Sequence, residues 1–365
     1  MSYDEILSDL RAKLGDSPEE NDKLLREAGE KFAKEGNAEG FEAVNTLVLE
    51  NMPEEKRKEY ERLTHVDGVR LDKLHENIEK LISQRKFVEA KSLAERLYKK
   101  ITVEYKETDK EKFVSLRNPF EDELYQLMYK PEKTLNRCPY DFAEYITTYA
   151  FLIVETGSPL DAIPVLEKAM EYNPVDCGPK FELAEVYKLL KNRKRLLDLT
   201  KETLKVASSP VAIARCYANM GYILTDFQEY EDAAAFYTAS VMMSPNPAIP
   251  REMQHLADLM GKPLTHPGNE KIIEVMKKYD MEFGPDQDVV SVAAQLASYY
   301  LDKNDIPNAL NAMKMTYNLT LDERVKDLII KYDPNAIRYV PKGTKAAEEA
   351  ERSGITRTVN EDPEK

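Results

Sequence analysis

The amino-acid sequence predicts an all-α fold built from a row of helical hairpins. Along most of the chain, apolar residues recur at the three- and four-residue spacings of an amphipathic helix. The 34-residue stretch 214–247 holds two such faces with a turn between them, and Pro245 closes it because proline cannot continue a helix. The two faces consist of Tyr217, Met220, Gly221 and Leu224, followed by Tyr230, Ala233, Tyr237 and Val241.

Small residues stand within both faces of this stretch. Gly221 and Ala233 would let two antiparallel helix backbones approach closely, while Tyr217 and Tyr237 fill the flanks. One hairpin cannot bury both of its faces alone, so neighbouring copies are expected. The small second-helix residues Ala90, Ala162, Ala233 and Ala309 lie 72, 71 and 76 residues apart, close to two 34-residue units in each interval.

In the order of its large, small and proline positions, this stretch resembles a tetratricopeptide repeat (TPR). A copy without gaps occurs at 143–176. A copy at 177–210 has Leu196 where the small alanine is expected, and a further copy at 290–323 lacks the closing proline. The resemblance implies a right-handed α-solenoid of TPR-like hairpins over 143–323, in which 248–289 is one divergent and longer hairpin.

The rest of the chain divides by its pattern of apolar residues, charges and helix breakers. The predicted parts are a degenerate helical N-terminal segment (1–66), a degenerate TPR-like hairpin (67–105), an aromatic- and proline-rich connecting insertion (106–142), the TPR array (143–323), a capping helix (324–335) and a mostly disordered tail (336–365). The insertion has two interpretations. It is a long connection whose aromatic residues pack on the repeats, or it shapes a binding groove, as long ordered loops often do.

Charge and composition restrict the classes of partner and the cellular compartment. The chain has 52 Lys+Arg against 66 Asp+Glu, a formal net charge of −14, which disfavours nucleic acid because phosphate binding needs a basic surface. No apolar run approaches the ~20 residues of a membrane span, and the first residues lack the pattern of a secretory signal. The three cysteines are widely spaced without a CxxC motif. We therefore expect a cytoplasmic protein that binds neither nucleic acid nor membranes.

The sequence carries no recognisable catalytic motif. Its four histidines form no HExxH pair, and no phosphate-binding GxxxxGK[ST] or GxGxxG and no GxSxG nucleophile motif occurs. Acidic pairs are plentiful, but in so acidic a chain they are typical of solvated helix faces. We therefore predict no catalytic residue, no cofactor and no metal site, and a protein that is not an enzyme.

Binding is better supported than catalysis by the TPR resemblance. It implies that the first helices of successive repeats line a concave surface and that their outward residues contact an extended or helical peptide. The predicted peptide-binding residues are Phe151, Phe181, Lys188, Arg215, Asn219 and Tyr222. Exposed aromatic side chains on one surface are typical binding anchors. A carboxylate clamp is disfavoured, because Glu185 and Asp226 would oppose the basic groups.

The sequence thus predicts a cytosolic scaffold or adaptor that binds a protein or peptide on its concave surface without catalysis. Two alternatives stay open. One is a self-assembling structural scaffold, which would be a homo-oligomer. The other is an enzyme or small-molecule sensor that uses the insertion at 113–139 as a lid.

Overall fold

Helices dominate the structure of this protein, a computed structural model that describes residues 2–334 and 336. Over these residues the chain forms eighteen α-helices and four short strands, which confirms the predicted all-α repeat class. Internal contacts divide the chain into two compact units, Met1–Glu76 and Asn77–Lys365. The predicted tail at 336–365 lies, apart from Ala336, outside the described residues.

The first unit contains four helices and a short antiparallel β-hairpin. Its elements are α1 (Tyr3–Arg11), α2 (Pro18–Lys34), α3 (Ala38–Asn51), α4 (Glu54–Thr64), β1 (His65–Val66) and β2 (Val69–Arg70). Ser17 caps α2 by accepting a hydrogen bond from the backbone N–H of Glu20, and Asn37 caps α3 by accepting one from Gly40. The helices α1, α2 and α3 share a core that is centred on Ile6, Leu10, Leu25, Val44 and Leu47.

The helix α5 (Leu71–Ser83) crosses the division between the units. The second unit continues with α6 (Phe87–Glu104), β3 (Glu111–Val114), α7 (Pro119–Tyr129), β4 (Thr134–Arg137), α8 (Phe142–Glu155), α9 (Pro159–Tyr172), α10 (Cys177–Leu189), α11 (Arg193–Val206), α12 (Pro210–Asp226), α13 (Tyr230–Met243), α14 (Ile249–Met260), α15 (Asn269–Lys278), α16 (Gln287–Asp302), α17 (Ile306–Thr320) and α18 (Glu323–Tyr332). The pairs α8–α9, α10–α11, α12–α13 and α16–α17 pack as hairpins where the repeats are predicted.

One turn geometry recurs in five of the predicted repeat hairpins, all except the longer α14–α15 hairpin. In each turn one residue takes a positive φ, and the next backbone N–H donates to the carbonyl five residues before it, as in a Schellman motif. These positive-φ residues are Arg85, Gly157, Lys191, Gln228 and Asn304. The α2–α3 turn at Gly36 has the same hydrogen bond, so the first unit shares the turn although its sequence lacks the repeat positions.

The α12–α13 hairpin packs through the small residues that the sequence analysis singles out. Ala233 is fully buried, and the ring of Tyr237 lies directly against Gly221. The hydroxyl of Ser240 donates to the carbonyl oxygen of Ala214 at 2.8 Å, so the buried polar group between the helices is satisfied. The close approach at Gly221 therefore depends on the absence of a side chain there.

The insertion folds as a strand–helix–strand unit, β3–α7–β4. The two strands are parallel, with Glu111 opposite Thr134 and Val114 opposite Arg137. Parallel strands need a crossover connection, and α7 supplies it. The pattern of apolar residues and helix breakers in the insertion gives no indication of these strands. The insertion also receives the last hairpin of the chain, because α16 packs on α7 as well as on α17.

The segment between α15 and α16 is anchored on the best-formed repeat. The hydroxyl of Tyr217 donates to the backbone oxygen of Glu282 and accepts from the backbone N–H of Gly284, each at 2.8 Å. The ring of Phe283 stacks on Tyr217 at a centroid distance of 6.1 Å. Beyond α17, the helix α18 buries Ile329 against it, at the position predicted for a capping helix.

Replacing Gly221 by alanine should destabilise the second unit by about 1–3 kcal/mol. A Cβ at this position would lie 2.6 Å from Cε1 of Tyr237, and that buried ring would have to move. Gly29→Ala is the matched control in a helix interior, because its Cβ would meet Cγ1 of Val44 at an ordinary 3.5 Å. That control should gain about 0.5–1 kcal/mol from helix propensity. Urea unfolding checks both, and equal effects would contradict the proposed packing.

Candidate peptide-binding groove

A groove of about 690 Å³ lies across the first helices of four successive hairpins. The helices are α5, in its C-terminal part, and α8, α10 and α12. Its lining includes Glu79 and Ile82 of α5, Glu144, Thr147 and Phe151 of α8, Pro179 and Glu182 of α10, and Arg215 of α12. This is the set of helices that the TPR resemblance implies for a binding surface.

Phe151 supplies the largest apolar side chain of the groove. It is only partly buried, and its ring meets the ring of Phe87 edge to face at a centroid distance of 6.2 Å. Ile82 and Pro179 extend the apolar part, while threonine and charged side chains surround it. An apolar anchor within a polar rim is the usual arrangement of a peptide-recognition surface.

The insertion contributes Arg117 to the groove through a buried hydrogen-bond network. The Nη2 atom of Arg117 lies 2.6 Å from Oε1 of Glu121 and 3.0 Å from Oδ1 of Asp176. The buried carboxylate of Glu121 also accepts from Nδ2 of Asn173 at 2.8 Å. Burial acts to lower the pKa of Arg117, but the hydrogen bond to Glu121 and the nearby Asp176 outweigh it and raise that pKa above its ordinary value. The guanidinium therefore stays charged.

Glu121→Ala should lower the free energy of unfolding by about 2–3 kcal/mol, because it removes a buried acceptor from both Arg117 and Asn173. It should also increase proteolytic cleavage within the insertion. Glu123→Ala is the matched control, since Glu123 lies on the same helix with an exposed side chain. Chemical unfolding and limited proteolysis measure the two effects. A stability loss that is the same for both variants would show that the network does not hold the insertion.

The six predicted binding residues fall into three groups: two line the groove, three lie beside it, and Asn219 alone is buried within the packed helices. Phe151 and Arg215 line the groove. Phe181, Lys188 and Tyr222 lie beside the groove. There Glu185 forms ion pairs with both Lys188 and Arg215. Its Oε1 lies 2.9 Å from Nζ of Lys188 and 3.3 Å from Nη2 of Arg215. Lys188 Nζ also lies 5.5 Å from the ring centroid of Tyr222, so these side chains satisfy one another.

Two of the predicted outward positions are wrong. Phe181 is only 7% exposed, because the guanidinium of Arg215 covers its ring with Cζ at 4.4 Å from the centroid. The residues of α10 that line the groove are instead Pro179 and Glu182, a rotation of one residue about the helix axis. Asn219 is 3% exposed, since α12 packs on both α11 and α13 and so buries more than one face.

Acidic side chains of the groove have perturbed pKa values. Burial raises the pKa of Glu144, and the nearby carboxylates of Asp141 and Glu79 raise it further. Burial also raises the pKa of Glu182, against an opposing contribution from Arg215, and Glu185 adds to the rise. Both carboxylates are thus partly removed from water, on different helices.

A buried lysine lies on the side of α10 that faces away from the groove. Lys180 is 6% exposed, and its Nζ lies 4.0 Å from Sδ of Met170. Among the described residues no carboxylate lies within ion-pair distance of it. Burial lowers its pKa below the ordinary 10.5 because the charged form loses hydration.

Lys180→Met should therefore stabilise the protein at neutral pH by about 1–3 kcal/mol, the usual cost of burying an unpaired polar group. The depressed pKa also fixes the sign of a pH effect. The unfolded chain binds this proton more tightly, so the wild type gains stability as pH rises toward 10.5, and the advantage of the variant shrinks. Urea unfolding of both proteins from pH 7 to pH 10 measures this. If the two free energies of unfolding differ by the same amount at every pH in this range, the pKa of Lys180 is not lowered in the folded protein.

A depression of about 770 Å³ also lies beside the insertion, but charged side chains such as Glu107, Lys110 and Lys133 make up most of its lining, and it has no apolar anchor like that of the groove. A cavity of about 190 Å³ lies beside the insertion, next to Tyr105, Phe113 and Tyr172. Its volume is below the ~300–1,000 Å³ that small-molecule pockets occupy. Over residues 2–334 and 336, no group of three or more His, Cys, Asp and Glu side chains could hold a metal ion. None of the helices that the structure describes has the length and apolar character needed to cross a membrane.

Comparisons with known proteins give only distant likenesses. No protein-family model matches the chain, and no curated protein matches it. The crystal structure of the P58(IPK) TPR domain aligns with 86% of this chain and 78% of its own, at 14% identity and a TM-score of 0.31. The crystal structure of the APC/C hetero-tetramer Cut9–Hcn1 aligns with 92% of this chain and 67% of its own chain, at 11% sequence identity and a TM-score of 0.31. At this TM-score the alignments carry no argument, and the TPR-like architecture rests on the hairpins described above.

Proposed function

We propose that this protein is a cytoplasmic, non-enzymatic scaffold that binds an extended segment of another protein in the groove. The observation that supports the proposal most directly is the position of Phe151. A large, partly exposed aromatic ring lies on the first helix of a hairpin, within a groove that the first helices of neighbouring hairpins also line. Buried aromatic anchors with a polar surround carry most of the binding energy in protein interfaces.

The extent of the groove suits a peptide rather than a small ligand. The groove is lined from α5, α8, α10 and α12, so a segment that crosses it would contact four helices. An extended chain advances roughly 3.3–3.6 Å per residue, so such a segment needs several residues. Threonine hydroxyls and carboxylates along the lining can accept or donate hydrogen bonds to such a segment.

Selection of random peptides displayed on phage against the full chain tests this function. Peptides selected on the wild type should lose about tenfold or more in affinity for Phe151→Ala, measured by fluorescence anisotropy, because the anchor is removed. Phe227→Ala is the matched control, an aromatic residue 49% exposed at the end of α12 and outside the groove lining. It should bind as the wild type does.

Thermal unfolding must accompany these measurements, because Phe151 also contacts Phe87. If Phe151→Ala fails to fold, Thr147→Arg places a bulky side chain in the groove and removes only the bond from its own hydroxyl to the Ala143 carbonyl. It should block the same peptides. Equal binding to Thr147→Arg and to the wild type would overturn the proposal, as would failure to select any peptide.

A further inference from the structure

The charges of the groove that lack a partner are negative. Glu79, Glu144 and Glu182 line it from α5, α8 and α10, and among the described residues no basic group forms an ion pair with any of them. Three separate helices thus bring carboxylates to one surface. A bound cation would stabilise the charged form of each of these carboxylates.

Both basic residues of the groove are already engaged. Arg117 is bound by the carboxylates of Glu121 and Asp176, at 2.6 and 3.0 Å. Arg215 lies 3.3 Å from Glu185 and covers the ring of Phe181. Their side chains are 44% and 39% exposed, so an acidic ligand would share each guanidinium with the carboxylate that already binds it. The lining has four acidic residues, Glu79, Glu144, Asp176 and Glu182, against these two arginines, so it would repel an acidic peptide overall.

We propose that the segment bound in this groove is basic, with lysine or arginine side chains on either side of an apolar residue that contacts Phe151. This inference rests on the proposed function and adds the chemistry of the partner. The carboxylate of Glu144 lies on the same helix as Phe151, and that of Glu182 lies on the next first helix. A cationic side chain near either carboxylate would be attracted to it in a partly desolvated site, where charge pairs are worth more than in water.

The rotation of α10 strengthens this assignment. Had Phe181 faced outward, the groove would be largely aromatic at its centre. Instead Phe181 is buried under Arg215, and Glu182 takes the place beside Pro179. The surface that the structure presents on α10 is therefore a carboxylate beside a proline ring, which complements a lysine or arginine with its apolar stem.

Non-specific attraction is the principal competing explanation, since a chain with a formal net charge of −14 attracts any polycation. The test therefore compares two double variants with the same change in charge. Glu144→Gln with Glu182→Gln removes carboxylates from the groove. Glu30→Gln with Glu270→Gln removes two exposed carboxylates elsewhere, which form no ion pair.

The probe is a fluorescein-labelled peptide of about twelve residues, with four lysines and two phenylalanines in a glycine–serine background. Its counterpart carries glutamate at the lysine positions. The lysine peptide should bind the full chain. Its affinity should fall about tenfold or more for the groove double variant and change less than about twofold for the control double variant. The glutamate peptide should not bind. Circular dichroism and thermal unfolding verify that each variant is folded.

The outcomes separate the basic partner from the proposed function itself. If both double variants weaken the lysine peptide equally, the attraction is non-specific and the inference is overturned. If phage-selected peptides depend on Phe151 but lack basic residues and bind the groove double variant normally, the inference again fails, while the proposed function stands. If neither Phe151→Ala nor the groove double variant alters any peptide's binding, both fail.

Discussion

The buried carboxylate of Glu121 joins three parts of the second unit that are otherwise separate. It accepts from the backbone and side chain of Arg117 and from Asn173, so it fixes the start of α7 against the turn between α9 and α10. Arg117 reaches the groove only because this bond holds it beside Asp176. The helix α16 then packs on α7, so the last hairpin also depends on the position of the insertion. Within this network Oδ1 of Asn173 is buried without a hydrogen-bond partner among the described residues, whereas the carboxylate of Glu121 is paired. A buried charge that is paired in this way favours one arrangement, because separating its partners would leave it unpaired.

Local pattern was sufficient to predict the hairpins. Tyr217, Gly221 and Ala233 all lie in the buried faces that their spacing indicates, because amphipathic periodicity and small residues act within one helix pair. The turns were harder to recognise. Residues such as Lys191 and Gln228 take the left-handed conformation that usually favours glycine, so composition alone does not mark the hairpin ends.

The groove could be predicted only in part, because its composition depends on how the hairpins stack. The repeat pattern predicts that all four of Phe151, Arg215, Phe181 and Asn219 face outward. Phe151 and Arg215 line the groove, whereas Phe181 and Asn219 are buried by neighbouring residues. A rotation of one residue, about 100° of helix, replaces Phe181 by Glu182, and only the packed neighbours decide it. Arg117 gave no sequence signal, since it reaches the groove from the insertion. The strands β3 and β4 are four residues each and pair across α7, which leaves no local pattern to detect.

The packing of α16 on α7 has a consequence for how the chain folds. In a simple solenoid each repeat contacts only its neighbours, so folding spreads from one repeat to the next and unfolding can proceed from the ends. Here the last hairpin docks on a helix that precedes all of the clear repeats, and this contact closes a loop through α8–α15. Such a non-local contact raises the contact order and slows folding. The entropic cost of closing the loop grows only slowly with the number of residues in it. The second unit therefore gains cooperativity between its first and last parts, at the expense of folding speed.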